Sequence, residues 1–291
     1  MWKYACTAAL LLACRWAAAE EPEKFNLRYQ FSPGETICWE VEHRSRVKAA
    51  VSGTTQTTET LSLSLKSWRI IEVQPDGTAV IEHSVPWVDM RQRLSDREEV
   101  RYDSRRGEKP PLGFEGIAPE VGVPLARLKI DFRGKTLHRE WLRPKPPPQT
   151  HDWLTIPLPE QPVAVGEKWS LPLEIDVPLP SGGVKKIKAL QQFTLEKVEN
   201  GVAVIHFSTD ILTPVTDPAI ESQLVQSAGA GWARFDIDAG RILAQQSDID
   251  KHVVGFRGEA SSIHYVNRFA ERLVSAEGAA RLTSRQGETA H

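Results

Sequence analysis

Histidine and tryptophan side chains on the early predicted strands are the residues of this sequence best suited to ligand binding. His43 continues the odd-numbered, apolar side of a predicted strand that also carries Trp39. His83 shares its side of a later strand with Trp87. If both sides face inward, the four residues would line one cavity, with the imidazoles as polar groups in an apolar pocket. The alternatives are two core histidines, each bonded to a backbone carbonyl, or a strand phase shifted by a bulge.

Sequence patterns typical of catalysis, metal binding and cofactor binding are missing. The sequence contains no Gly-x-Ser-x-Gly, His-Glu-x-x-His or Cys-x-x-Cys pattern. Residues 236–240 begin like a calcium loop, but neither the next oxygen ligand nor the bidentate Glu follows, which predicts an acidic hairpin turn. Cys38 lies beside Glu40 on a charged side, where a thiolate is disfavoured. We therefore expect no enzyme activity, no metal and no cofactor; a hydrolase with an unrecognised site is the lesser alternative.

The elements that must position these side chains are β-strands. Residues 36–51 alternate between apolar odd and polar even positions, which is typical of a strand with one buried face. Leu61, Leu63 and Leu65 extend the odd-numbered apolar pattern to the next strand. Pro75-Asp76-Gly77 and Asn200-Gly201 are turn signals that predict hairpins.

Helix signals are few. Ile220–Ser227 follows Asp217-Pro218, and this order predicts a short helix with Asp217 as its N-cap. Arg93–Tyr102 is a weaker helix candidate. We expect at most one or two short helices in a chain of strands.

Three landmarks occur twice in the same order. Gly-Glu stands at 34–35 and 166–167, Ala-Val-Ile at 79–81 and 203–205, and Gly-Lys/Arg-x-Leu at 134–137 and 240–243. Such repetition indicates duplication of one unit. The predicted fold class is all-β, or β with one or two short helices, built from two repeated antiparallel units that each form a curved sheet or open barrel. The pattern leaves open whether the units form one body or two domains.

The predicted organisation follows from these landmarks and from composition. The segments are a signal peptide (1–19), a polar lead-in (20–33), repeat 1 (34–142), a proline-rich linker (143–162), repeat 2 (163–274) and a disordered tail (275–291). The linker carries seven prolines, which favour an extended spacer.

The N-terminus has the features of an export signal. Lys3 precedes an apolar stretch over 4–13, and Ala17-Ala18-Ala19 supplies small residues for cleavage after Ala19. The alternative is lipidation of Cys14, since Leu11-Leu12-Ala13-Cys14 resembles a lipobox; an uncleaved anchor is a third reading. We expect a periplasmic or extracellular protein, lipid-anchored if Cys14 is modified.

Charge and hydropathy limit the classes of partner that we expect for this protein. The formal net charge is −2 and the charges are interspersed, without a strongly basic stripe, so nucleic acid is not an expected partner. No second apolar run is long enough for a transmembrane helix.

With Gly-Glu before a long strand, a Gly-x-Ala-Val-Ile hairpin return and a closing Gly-Lys/Arg-x-Leu, the chain is similar to uncharacterised secreted bacterial two-repeat β-proteins. Its architecture also resembles, distantly, envelope half-barrels of the lipoprotein-carrier type. These resemblances imply an envelope location and handling of an apolar ligand, and they carry over no functional residue.

The expected function is that of a non-catalytic envelope protein that binds an apolar or amphipathic ligand, such as a lipid, in a curved sheet. The alternative is a structural or protein-interaction module that presents its repeats to an envelope partner. The sequence leaves the ligand, the partner and the oligomeric state open.

Overall fold

The computed structural model describes residues 22–144, 155–179 and 182–284. The predicted signal peptide, with Cys14, lies outside the described residues. So do residues 145–154 of the predicted linker and residues 285–291 of the predicted tail.

The described residues form fifteen strands and two α-helices. The first eight strands are β1 (Lys24–Phe25), β2 (Thr36–Val51), β3 (Thr54–Val73), β4 (Ala79–Ser84), β5 (Val88–Leu94), β6 (Val100–Asp103), β7 (Pro124–Ile130) and β8 (Thr136–Trp141). The others are β9 (Val163–Ala164), β10 (Lys168–Pro178), β11 (Val184–Glu199), β12 (Val202–Ile211), β13 (Ala230–Asp236), β14 (Arg241–Val254) and β15 (Ser261–Val274). The helices are α1 (Pro218–Leu224) and α2 (Ala276–Ser284). Neither is long and apolar enough to cross a membrane. The predicted fold class is confirmed.

One antiparallel sheet contains both repeats. Its strand order is β10-β11-β12-β13-β14-β15-β2-β3-β4-β7-β8, and β5 with β6 branches from β3. The branch arises because the 20-residue β3 pairs with β5 along its first half and with β4 along its second half. Pairing of β15 with β2 joins the repeats into one sheet. That sheet ends at β10 and β8 and is not closed into a barrel.

The two repeats share their backbone hydrogen bonds as well as their sequence landmarks. The Gly34 amide donates to the Ile70 carbonyl (2.9 Å), and the Gly166 amide donates to the Leu195 carbonyl (2.7 Å). In each repeat the strand register then shifts, directly after Ile70 and directly after Leu195. A β-bulge that occurs at equivalent positions is a regular feature of the unit and not an irregularity of one strand. The structure therefore matches a duplicated unit.

The two largest clusters of the core lie on one side of the sheet. One contains Trp39, Trp68 and their neighbours in repeat 1, and the other surrounds Phe193 and Phe235 in repeat 2. We call this side the core face. The opposite side, which carries Cys38 and Arg44, is called the arginine face. Paired residues on neighbouring antiparallel strands point to the same side, so the register assigns each residue to one of the two.

The predicted lead-in and the described end of the predicted linker pack into the core. Leu27, Tyr29, Ile156 and Leu158 belong to the cluster of repeat 2. The Tyr29 amide donates to the Phe132 carbonyl (2.7 Å), and the next amide along the chain donates to the Gly240 carbonyl (3.0 Å). The lead-in therefore runs against the closing hairpins of both repeats.

The short helix predicted after Asp217-Pro218 is confirmed as α1. The Asp217 carboxylate accepts a hydrogen bond from the Ala219 amide (2.8 Å), as expected for an N-cap. The weaker helix prediction for Arg93–Tyr102 is wrong, because these residues end β5 and begin β6, where cross-strand pairing overrides local propensity. The sequence predicts a disordered tail from residue 275, whereas the structure has α2 over Ala276–Ser284. Its alanines favour a helix, and Ala279 gains a buried site by packing on the sheet.

Candidate functional site

The structure does not bring the four predicted ligand-binding residues into one cavity. Trp39 is buried in the core, where its indole Nε1 donates to the Ile242 carbonyl (3.0 Å). His43 is exposed, and its Nε2 lies 2.5 Å from Nδ2 of Asn267. Trp87 packs with Cys38 on the arginine face, because β4 ends at residue 84 and the chain leaves the strand register before Trp87.

His83 is the predicted residue with the most unusual environment. It pairs with Trp68 on the core face, and its Nδ1 is shielded from solvent without a hydrogen-bond partner in the described chain. Burial and the nearby Lys66 ammonium lower the pKa of His83 to about 4. His83 is therefore neutral at physiological pH.

A buried ion pair, which sequence analysis missed, lies on the core face beside Trp39. Nζ of Lys66 lies 2.5 Å from a Glu271 carboxylate oxygen and 4.5 Å from the centre of the Trp39 ring. The other Glu271 oxygen accepts from Gln245 (2.7 Å). Alternation along β3 suggested that Lys66 faces water. The register instead pairs Lys66 with Trp39, so the even residues of β3 face the core.

A groove with a volume of about 1030 Å³ lies on the arginine face. All but one of its lining residues come from five adjacent strands, with β14 and β5 as walls and β15, β2 and β3 as floor, and Glu99 comes from the loop between β5 and β6. They are Arg44, Ser45, Arg46, Glu59, Thr60, Leu61, Arg91, Arg93, Glu99, Asp248, Ile249, Asp250, Val266, Asn267 and Arg268.

Strand register collects the arginines of this groove. Arg44 on β2 pairs with Arg268 on β15 and with Leu61 on β3, and Leu61 pairs with Arg91 on β5. Like charges directly opposite each other destabilise a sheet. The Arg44–Arg268 pair therefore depends on countercharges beside the two guanidinium groups.

Carboxylates neutralise most of these arginines. Arg44 pairs with Glu42 (2.5 Å), and Arg268 pairs with Asp248 (2.6 Å). Glu59 contacts two arginines, one of which is Arg93, and this hydrogen bond lowers the pKa of the Glu59 carboxyl.

Arg91 differs from the other arginines of the groove. Within the part of the chain that the structure describes, no carboxylate lies within 4.0 Å of its guanidinium group. Its register partner on β6 is Arg101, which carries the same charge.

The groove combines charge with apolar surface. Leu61 and Val266 lie among the guanidinium groups, which bind carboxylate and phosphate groups through two parallel hydrogen bonds. The described residues contain no group of three or more His, Cys, Asp or Glu side chains placed to hold a metal ion. Two Arg-x-Arg patterns, at 44–46 and 91–93, are a signal in the sequence, since residues two apart share a face of a strand.

Comparison with known proteins gives distant structural similarity and no family. No family model matches the chain. No curated protein matches it either. A solved structure described as lipid–protein interactions in lipovitellin shares 12% sequence identity and covers 84% of this chain, with a TM-score of 0.46. The match spans 26% of the lipovitellin chain, so this protein corresponds to about a quarter of it. Similarity at this level carries no argument about function.

Proposed function

We propose that this is a non-catalytic, exported protein of the cell envelope that binds an amphipathic anion in the groove of the arginine face. The observation that carries the proposal is the groove itself, in which Arg91 lacks an acidic partner among the described residues and apolar side chains lie between the arginines. A head group with a phosphate or carboxylate fits the guanidinium groups, and an apolar body fits the leucine and valine.

Size supports a small-molecule ligand. Ligand pockets in proteins measure roughly 300–1,000 Å³, and the groove lies at the upper end of that range. The lining holds five arginines and four carboxylates, and Arg91 has no acidic partner among the described residues, so we expect selectivity for negative charge at Arg91. Because the groove is open to solvent, salt should weaken binding.

Isothermal titration calorimetry with dodecyl phosphate tests the proposal. We expect Arg91→Gln to weaken binding about tenfold, which corresponds to the loss of one charged hydrogen bond. Arg272→Gln is the matched control, because Arg272 lies on β15, is exposed and does not line the groove. Equal affinities of the wild type and Arg91→Gln, or equal binding of dodecyl trimethylammonium, would contradict the proposal.

Export is tested separately by expressing the full chain in a bacterium and determining the mature N-terminus. A chain that begins at Glu20 supports cleavage, and a lipid on Cys14 supports anchoring. A full-length cytoplasmic chain would contradict export without affecting the groove.

A further inference from the structure

We propose that the apolar tail of the ligand binds on the arginine face in the place now occupied by helix α2, which the tail displaces. This inference rests on the proposed function, because the groove would hold the head group at one end of the tail.

An apolar stripe connects the groove with the surface beneath α2. Leu61, Leu63 and Leu65 point to the same side of β3. Leu61 lines the groove, Leu63 packs at the edge of the cluster under α2, and Leu65 is buried within that cluster. At about 3.3 Å per residue, the stripe runs about 13 Å from the groove to α2. The floor of the groove therefore continues under the helix.

Helix α2 is held by few interactions. Its apolar contacts come from Ala279 and Leu282, which pack on Cys38, Leu65 and Trp87. The Leu282 carbonyl accepts one hydrogen bond from Arg105 (3.1 Å). The indole Nε1 of Trp87 is buried and has no partner within the described residues. Release of α2 therefore breaks no hydrogen bond of Trp87.

The charges beside the stripe already have partners. Glu42 and Asp89 flank Leu63 in the register. Glu42 pairs with Arg44 (2.5 Å), and Asp89 pairs with Arg101 (2.7 Å). An alkyl chain along the leucines would thus pass between neutralised carboxylates and bury the apolar surface that α2 now covers.

Hydrogen exchange and calorimetry on the full chain test this placement with two probes that share a head group, dodecyl phosphate and butyl phosphate. Saturation with dodecyl phosphate should speed amide exchange in residues 276–284, whereas butyl phosphate should leave it unchanged. Leu282→Asp weakens the docking of α2 and should tighten dodecyl phosphate binding about threefold to tenfold, without effect on butyl phosphate. Ala280→Asp adds the same charge at an exposed position of α2 and should change neither affinity.

The two proposals fail in different ways. If Arg91→Gln weakens both probes but exchange in α2 stays unchanged, or Leu282→Asp weakens dodecyl phosphate, the tail does not displace α2 and the head-group site stands. Equal affinity of the two probes in the wild type would also overturn the tail site. If neither probe binds, both proposals are wrong.

Discussion

The two repeats differ most informatively at one equivalent position of the core face. Lys66 stands two residues before Trp68, and Gln191 stands two residues before Phe193, which is the register equivalent of Trp68. Lys66 forms its ion pair with Glu271. Both side-chain amide atoms of Gln191 are buried and have no hydrogen-bond partner in the described chain. The same place in a copied unit therefore holds a satisfied charge in one copy and an unsatisfied amide in the other.

The neighbouring strand explains this difference. In repeat 1, β2 pairs on its far side with β15, which supplies Glu271. In repeat 2, the equivalent strand β10 is an edge of the described sheet and has no such neighbour there. A lysine at position 191 would be buried without a carboxylate, at a cost of several kcal/mol. Whether this core position can hold a charged side chain thus depends on the strand that pairs with the repeat from outside.

The insertions of the repeats differ as well. Repeat 1 places the β5–β6 branch between β4 and β7, and repeat 2 places α1 between β12 and β13. Arg91 and Arg93 lie on β5, so the insertion contributes one wall of the groove. The equivalent surface of repeat 2 lacks that wall among the described residues.

Of the changes that test this difference between the repeats, breaking the buried ion pair should have the largest effect on the free energy of unfolding. We expect Glu271→Gln to lower the free energy of unfolding by about 3–5 kcal/mol, because Lys66 stays buried without a countercharge. Urea unfolding measures the change. The double variant Lys66→Met/Glu271→Leu should recover most of the loss. A loss below about 1 kcal/mol for Glu271→Gln would contradict the interpretation.

The glycines at the turns of repeat 1 offer the next test. A Cβ at Gly134 would lie 2.5 Å from Cε2 of Tyr29, whereas a Cβ at Gly34 meets no atom within 4 Å, and both residues have φ near +80° (+83° and +81°). We expect Gly134→Ala to cost roughly 3 kcal/mol and Gly34→Ala about 1–2 kcal/mol, since only the former adds a steric clash to the backbone strain. Equal losses in urea unfolding would show that the lead-in does not pack against this turn.

Replacing the unsatisfied amide of Gln191 should stabilise the protein. Gln191→Met keeps a similar volume and removes two buried polar atoms without partners in the described chain, so we expect the free energy of unfolding to rise by roughly 1–2 kcal/mol. Thermal unfolding checks this gain. A clear destabilisation would mean that Gln191 forms bonds that the described residues do not show.

The smallest expected effect concerns pH. The folded pKa of His83 is about 4, below the ordinary value of 6.5, so the unfolded chain binds a proton first as pH falls. Stability should therefore decrease as pH falls from about 6.5 toward 4, by about 1 kcal/mol for a half-buried group. His83→Phe, which introduces the side chain that Phe207 has at the equivalent place of repeat 2, should remove this contribution. An unchanged pH slope in the variant would contradict the assignment to His83.

Much of the fold follows from local patterns, and little of the candidate site does. Turn residues at 75–77 and 200–201, strand alternation in β2 and the cap at Asp217 act over a few residues, so they can be read from the chain. The predicted cavity around Trp39, His43, His83 and Trp87 required the phase of each strand to be kept through bulges and loops. A shift of one residue moves a side chain to the other face, as at Trp87 and along Leu61, Leu63 and Leu65.

The sequence by itself determined that the chain is an antiparallel β protein with few helices, because glycine corners and period-two alternation are local physical constraints. Tertiary structure decided which strands meet between the repeats and which residues face each other across the sheet. Pairing of β15 with β2 brings Arg268 beside Arg44 and Glu271 near Lys66, although more than 200 residues separate the members of each pair. Only hydrogen-bond register and the burial of the core face specify such contacts, and both are properties of the assembled sheet.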